Sequence, residues 1–226
     1  MSMATVVFTS CDNDEPSNKI KKSGFFSSKE FVQNPSVSSA IRESSIPVYE
    51  GDTPPALAGT YSIDGKVTDT SYELAVLIGM PVQSEFILSK QTTSGTIDFE
   101  ERIDGFKVSG SGGYVTGNNG CFTIYQESRQ SGSEAGLPND LTLTVVLMMS
   151  GIKSNNGNLT DVEGVSIITE ASSNNKSYNL KAVEGLWWKW DADFYLHTEK
   201  STSALKSATN FSNQVLVQKV LQNIMQ

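Results

Sequence analysis

The sequence is poor in the side chains that bind metals and act as catalytic bases. It has a single histidine, His197, and two cysteines, Cys11 and Cys121. It contains no Cys-x-x-Cys pair and no His-Glu-x-x-His motif, so the usual ligands of a zinc site are missing. We therefore predict no metal site and no other cofactor.

Positive charge and long apolar runs are scarce too. Lysine and arginine number 17 against 25 acidic residues, which gives a net charge of −8. Nucleic-acid phosphates attract basic surfaces and repel a net anion, so no nucleic-acid partner is expected. No apolar run approaches the ~20 residues that a membrane-spanning helix needs.

Residues for hydrolytic chemistry are few. There is no Gly-x-Ser-x-Gly motif, and His197 lies on the polar face of a predicted strand, where we expect an exposed role. The one enzymatic alternative is a carboxylate-based hydrolase, since glycoside cleavage needs only two acids at the right separation. Asp191 and Asp193 share a strand face about 6.5–7 Å apart, whereas Glu100 and Glu101 are adjacent and face opposite ways. Two acids on a solvated strand face usually contact only water and have no catalytic role. We predict no catalytic residues and a protein that is not an enzyme.

The N-terminus contains a short apolar run, Met3 to Phe8, followed by two small residues and Cys11. Small residues before a cleavage site suit a signal peptidase. Phe8-Thr9-Ser10-Cys11 resembles a lipobox, with Phe where Leu is usual. The acidic run from Asp12 to Glu15 is similar to the export signal of Bacteroidetes-type surface lipoproteins. The alternative is an ordinary edge strand that ends at an ordinary thiol.

The lipoprotein resemblance implies acylation of Cys11 and anchoring in the outer membrane at the cell surface. Residues 1–10 would be the remainder of a signal peptide. Residues 11–53 are Ser-rich with mixed charge, which predicts a flexible tether. With Cys11 acylated, Cys121 would have no intrachain partner, so we predict a free thiol at Cys121.

Residues 54–200 show a period of two. Leu186, Trp188 and Trp190 share one face of the last apolar segment, while Trp187 and Lys189 share the other. Successive side chains of a strand point to opposite faces, so this spacing predicts strands. Asn- and Gly-rich pairs between the segments predict tight hairpin turns. We expect about nine strands in an antiparallel meander, with the glycine-rich stretch 108–113 as a bulge or hairpin.

A meander of this kind closes into a barrel or stacks as two sheets. Leu57-Ala58-Gly59-Thr60-Tyr61 resembles the Gly-x-Trp region of lipocalin-like (calycin) barrels, with Tyr in place of Trp. The prediction is an all-β, lipocalin-like up-and-down barrel, and the alternative is a two-sheet β-sandwich. Residues 201–226 have mostly helical spacing and predict a C-terminal amphipathic helix packed on the β domain.

Three functions remain open. The first is binding of a small apolar or amphipathic ligand in the barrel interior, with a pocket formed by Tyr61, Phe99, Trp188, Trp190 and Phe194. The second is binding of a glycan by a β-sandwich, on an exposed platform formed by Trp187 and Tyr195. The third is a structural or partner-docking lipoprotein with a filled core.

Overall fold

The computed structural model describes residues 35–103, residues 106–197 and Gln222. Within them, eight antiparallel strands follow one another, and each pairs with the next. The strands are β1 Gly59–Thr70, β2 Pro81–Ser89, β3 Thr96–Ile103, β4 Phe106–Asn118, β5 Cys121–Ser131, β6 Leu141–Lys153, β7 Leu159–Ser173 and β8 Trp187–Leu196. The described strands are thus one fewer than the roughly nine expected.

The last strand pairs with the first, and this closes the sheet. β8 lies antiparallel to β1, with Tyr61 opposite Leu196 and Val67 opposite Trp190. Closure leaves no unpaired sheet edge among the eight strands. The structure confirms the up-and-down barrel and excludes the sandwich alternative.

Turn chemistry explains the tightest hairpin. Asn118 pairs with Cys121, so Asn119 and Gly120 form a two-residue loop between β4 and β5. Their φ angles are 52° and 86°, as a type I′ turn requires at both central positions. The Asn-Gly signal in the sequence therefore predicts this turn correctly.

The glycine-rich stretch lies inside β4 and forms a bulge. The β3–β4 register shifts between Ile97 and Phe99, which pair with Gly113 and Gly110. Gly112 has φ of 68°, and its N–H donates to Asp98 Oδ1 at 2.8 Å. The one extra residue on β4 bends the strand, as bulges do.

The segment before the barrel differs from the prediction. Helix α1, Pro35–Ser44, packs on the outside of the barrel with Val37 and Ala40 buried. The chain then follows the wall, where the N–H of Tyr49 donates to Thr123 Oγ1 at 2.7 Å. Residues 35–53 are therefore attached to the barrel and are not a flexible tether.

Several predicted segments lie outside the described residues. These are the signal-peptide remainder at 1–10, the tether up to residue 34 and the predicted helix at 201–226. Gln222 is described and is helical. No helix in the described part of the chain is both long and apolar enough to cross a membrane.

Buried side chains pack together at one end of the interior. Tyr61, Phe86 and Phe194 pack there with Leu57 from the chain before β1. At the other end, the long connections after β1, β5 and β7 fold over the barrel and bury Leu77, among others. A third apolar cluster lies outside the barrel, beneath α1. A buried cluster therefore occupies the Tyr61 end of the barrel, and loops cover the opposite end.

Candidate ligand-binding site

A cavity of about 100 Å³ occupies the loop-covered end of the barrel. Its apolar wall includes the rings of Phe86, Phe99, Trp188 and Trp190. Its polar lining comes from several strands and consists of Glu101, Ser128, Gln130 and Ser166. An apolar cavity with a few convergent polar groups is the usual form of a small-molecule site.

Three of the predicted pocket residues meet in this cavity. Phe99, Trp188 and Trp190 all line it. Trp190 is held by a close approach to Gly164 on β7, because a Cβ at that position would lie 2.1 Å from Trp190 Cζ2. Glycine at 164 therefore makes the space that the indole occupies.

The other two predicted pocket residues do not reach the cavity. Tyr61 and Phe194 lie in the filled end, with ring centroids 6.1 Å apart. The Tyr61 hydroxyl donates to the Leu57 carbonyl at 2.8 Å, and burial raises the pKa of Tyr61 to about 12. A period of two gives the face of a residue but not its height along the barrel. Both residues belong to the core and not to the cavity wall.

Glu101 is a cavity residue that the sequence analysis did not identify. It lies between Phe99 and Ile103 on the inward face of β3. The hydroxyl of the buried Ser84 donates to Glu101 Oε1 at 2.9 Å. Burial raises the pKa of the Glu101 carboxyl, and the Ser84 hydrogen bond opposes that rise. A carboxyl group is therefore available to a molecule in the cavity.

The outward acids of the same strand have a different environment. Glu100 pairs with Lys107 at 2.7 Å and with Arg102 at 2.5 Å. The hydrogen bond from Lys107, with that from Arg102, holds the pKa of Glu100 below its usual value. Asp98 pairs with Lys90 at 2.9 Å, and this contact lowers the pKa of Asp98. Cations therefore neutralise the outer surface of β3.

Trp187 and Tyr195 do not form an exposed platform. Trp187 is 7% exposed and packs beneath α1 with Val37 and Ala40. Tyr195 lies on the same outer face of β8 and is 47% exposed. A sugar ring stacks on an open aromatic face, and the helix covers that of Trp187. The helix comes from residues that the sequence analysis assigned to the tether.

His197 has partners that its place in the sequence did not suggest. Its Nε2 lies 2.5 Å from Ser62 Oγ, and its Nδ1 lies 3.9 Å from Glu85 Oε2. The order Ser–His–Glu resembles a hydrolase triad, but 3.9 Å is too long for the orienting hydrogen bond. Ser62 also lies within β1, paired with Glu85 and Tyr195, so strand pairing engages the nearby backbone N–H groups that an oxyanion hole would need.

Asp191, Asp193 and Cys121 do not line the cavity. Asp191 and Asp193 are exposed on the outer face of β8, where Thr68 Oγ1 donates to Asp191 Oδ1 at 3.1 Å. Cys121 is disulfide-bonded, so the prediction of a free thiol is wrong. Cys11, the predicted lipidation site, lies outside the described residues.

Comparison of the chain with protein-family models, curated proteins and solved structures finds no match. The site is therefore described by its own geometry. That geometry is a partly filled barrel with an aromatic cavity and one inward carboxyl group.

Proposed function

We propose that the barrel binds a small apolar or amphipathic molecule in the cavity at its loop-covered end. The observation that supports this is the unequal filling of the interior. Side chains close the Tyr61 end, whereas Trp188 and Trp190 border open space at the other end. Aromatic walls provide large apolar contact area at low entropic cost, which suits a binding pocket.

The size of the cavity limits the ligand. An engineered cavity of about 150 Å³ in another protein holds benzene, and pockets for drug-sized ligands span roughly 300–1,000 Å³. A cavity of about 100 Å³ is smaller than both, so it excludes a long acyl chain, and a single aromatic ring fits only when the lining side chains move apart.

The connection after β1 forms part of the cavity wall. Leu77 and Met80, both within this connection, line the cavity. The same connection exposes Tyr72, Val76 and Ile78 on its outer side. No described residue covers these side chains from outside, so we expect this segment to move aside and a ligand to pass beside it.

The cellular location of the chain is a separate proposal. Acylation of Cys11 would attach the chain to a membrane, and the disulfide at Cys121 forms in oxidising compartments. Cys11 is the other cysteine of the sequence, and an acylated thioether sulfur cannot also join a disulfide. An acylated Cys11 and a disulfide-bonded Cys121 both require export, so we propose that the chain is exported from the cytoplasm. Anchoring at the outer membrane surface stays a prediction from the sequence.

Titration of tryptophan fluorescence tests binding. Benzyl alcohol should give a saturable change in the wild-type protein, and palmitate should give none. Ser128→Leu fills the cavity from its inward face and should abolish the change. Glu127→Leu, at the exposed neighbouring position, should retain it.

Two outcomes would count against the proposal. If benzyl alcohol and indole both fail to saturate the wild-type protein, the structural lipoprotein hypothesis takes its place. If Trp188→Phe leaves the ligand-dependent emission unchanged and Ser128→Leu still binds, the ligand lies elsewhere.

A further inference from the structure

We propose that Glu101 holds the positively charged nitrogen of a small amine whose apolar body lies against the cavity rings. This inference rests on the proposed function, because it names the ligand class of the same cavity. It follows from where β3 places its side chains, from the charge of the cavity lining and from the rings around it.

The position of Glu101 is fixed by the strand. It pairs with Phe86 on β2 and with Val108 on β4, and both of these residues also line the cavity. Ser84 holds Oε1 at 2.9 Å, which orients the carboxyl group inside the barrel. Strand pairing on both sides fixes the backbone of Glu101, and the hydrogen bond from Ser84 restricts its carboxyl group.

The charge of the lining selects the sign of the ligand. Of the described residues that line the cavity, Glu101 alone has an ionisable side chain, and none carries a positive charge. A carboxylate or phosphate ligand would find no cation and would meet a like charge. An ammonium group would gain an ion pair and charge-assisted hydrogen bonds.

The rings suit the same ligand. Trp188, Trp190, Phe86 and Phe99 line the cavity with Glu101. Aromatic faces attract cations and pack against apolar bodies, and tryptophan does so best. The combination of one acid with several rings therefore fits an aromatic or short aliphatic amine.

Binding of an amine should release a proton. Burial raises the pKa of Glu101, so the free protein takes up a proton at this group at a higher pH than an exposed glutamate would. The ammonium group needs the carboxylate, so its affinity should rise with pH through the pKa of Glu101. The groups facing Glu101 from the other strands are Ser84, Ser128, Gln130 and Ser166, and none of them titrates in this range.

The test compares three ligands of similar shape by isothermal titration calorimetry near neutral pH. These are benzylamine as the cation, benzyl alcohol as the neutral molecule and benzoate as the anion. In the wild-type protein we expect benzylamine to bind most tightly and benzoate most weakly. Glu101→Gln should weaken benzylamine at least tenfold and leave benzyl alcohol unchanged. Glu100→Gln, the outward control, should change neither.

The outcomes separate this inference from the proposed function. Equal benzylamine affinity in the wild-type protein and Glu101→Gln would overturn the role of Glu101, as would benzoate binding as tightly as benzylamine. Binding of benzyl alcohol would still support the cavity. If none of the three ligands binds the wild-type protein, both proposals fail. Should Glu101→Gln not fold, wild-type affinity for benzylamine that does not rise with pH would also overturn the inference.

Discussion

Glu100 and Glu101 are neighbours in the sequence, and β3 directs their carboxyl groups to opposite sides of the barrel wall. Outside, Lys107 and Arg102 pair with Glu100, and the pKa of Glu100 is lowered. Inside, Ser84 contacts Glu101, and burial raises the pKa of Glu101. One strand thus separates a neutralised surface acid from an acid that faces a cavity.

Removing the inward charge should stabilise the protein at neutral pH. In the folded state Glu101 holds its proton more tightly than in the unfolded chain, so stability falls as pH rises through the raised pKa. We expect Glu101→Gln to increase the free energy of unfolding near pH 8, because glutamine has no charged form for burial to penalise. The gain should shrink as pH falls and vanish well below the usual glutamate pKa of about 4.3, where the wild-type acid is neutral in both states.

The outward neighbour gives the opposite pH dependence. The lowered pKa of Glu100 means that its contribution is present above the usual glutamate pKa and is lost as pH falls. Glu100→Gln should therefore destabilise slightly at neutral pH and have no effect in acid. Urea unfolding of both variants at several pH values measures the two trends, and trends of the same sign would contradict the opposite orientations.

Trp187 should matter for stability and not for glycan binding. Its indole lies beneath α1, so Trp187→Ala should lower the free energy of unfolding by about 3 kcal/mol, as for other buried large aromatic residues. Tyr195→Ala, on the same strand face but exposed, should cost little. Thermal unfolding measures both losses of stability. The wild-type protein should bind no polysaccharide, so neither substitution should change the result of a polysaccharide-binding assay. Loss of glycan binding in Trp187→Ala at unchanged stability would restore the platform hypothesis.

Gly164 should be needed to place Trp190. The Cβ of an alanine at this position would lie 2.1 Å from Trp190 Cζ2, so the ring must move. We expect Gly164→Ala to cost about 1–3 kcal/mol and to shift the tryptophan emission maximum. Ser166→Ala, the next inward position on β7, should leave the emission maximum in place. An unchanged spectrum and stability in Gly164→Ala would show that the indole is not held there.

The contact between Ser62 and His197 should not give hydrolysis. The 3.9 Å distance from His197 to Glu85 and the strand position of Ser62 leave the nucleophile without an oriented base and without an oxyanion hole. Hydrolysis of p-nitrophenyl acetate should be the same for the wild-type protein and Ser62→Ala. A rate that falls tenfold or more in Ser62→Ala would instead indicate a serine hydrolase.

The two cysteines allow one more prediction. Non-reducing peptide mass spectrometry of the chain from its native host should find either an acylated Cys11 or a peptide that joins Cys11 to Cys121. The first result requires another partner for the disulfide at Cys121, and the second excludes the lipid anchor. Unmodified, reduced cysteines at both positions would contradict the proposal of export.

Alternation along the strands predicts much of the barrel. It places Trp190 and Phe194 inward and Trp187 outward, as observed. The Asn119-Gly120 turn also follows from sequence, because few other residues adopt positive φ at both positions. These features are local, so short stretches of sequence determine them.

Other features depend on distant parts of the chain. Trp187 is covered by a helix that begins at residue 35, far away in the sequence. Tyr61 differs from Phe99 in its height along the barrel, which depends on the register of all strands together. Ser62 meets His197 only because β8 closes onto β1. No local pattern contains this information.

The role of Glu101 depends partly on local sequence and partly on distant parts of the chain. The alternation that makes Phe99 and Ile103 inward also makes Glu101 inward, so the signal was in the sequence. Alternation by itself shows only that Glu101 and Glu100 face opposite ways. What the sequence did not contain is the open space beside the carboxyl group, which the rings of several strands define together.

The most direct test of the cavity and its acid is a crystal structure of the wild-type protein grown with benzylamine. We expect the ring between Trp188 and Trp190, with the nitrogen within hydrogen-bonding distance of Glu101. A barrel interior that excludes the amine, or an amine bound with its nitrogen away from Glu101, would contradict the account.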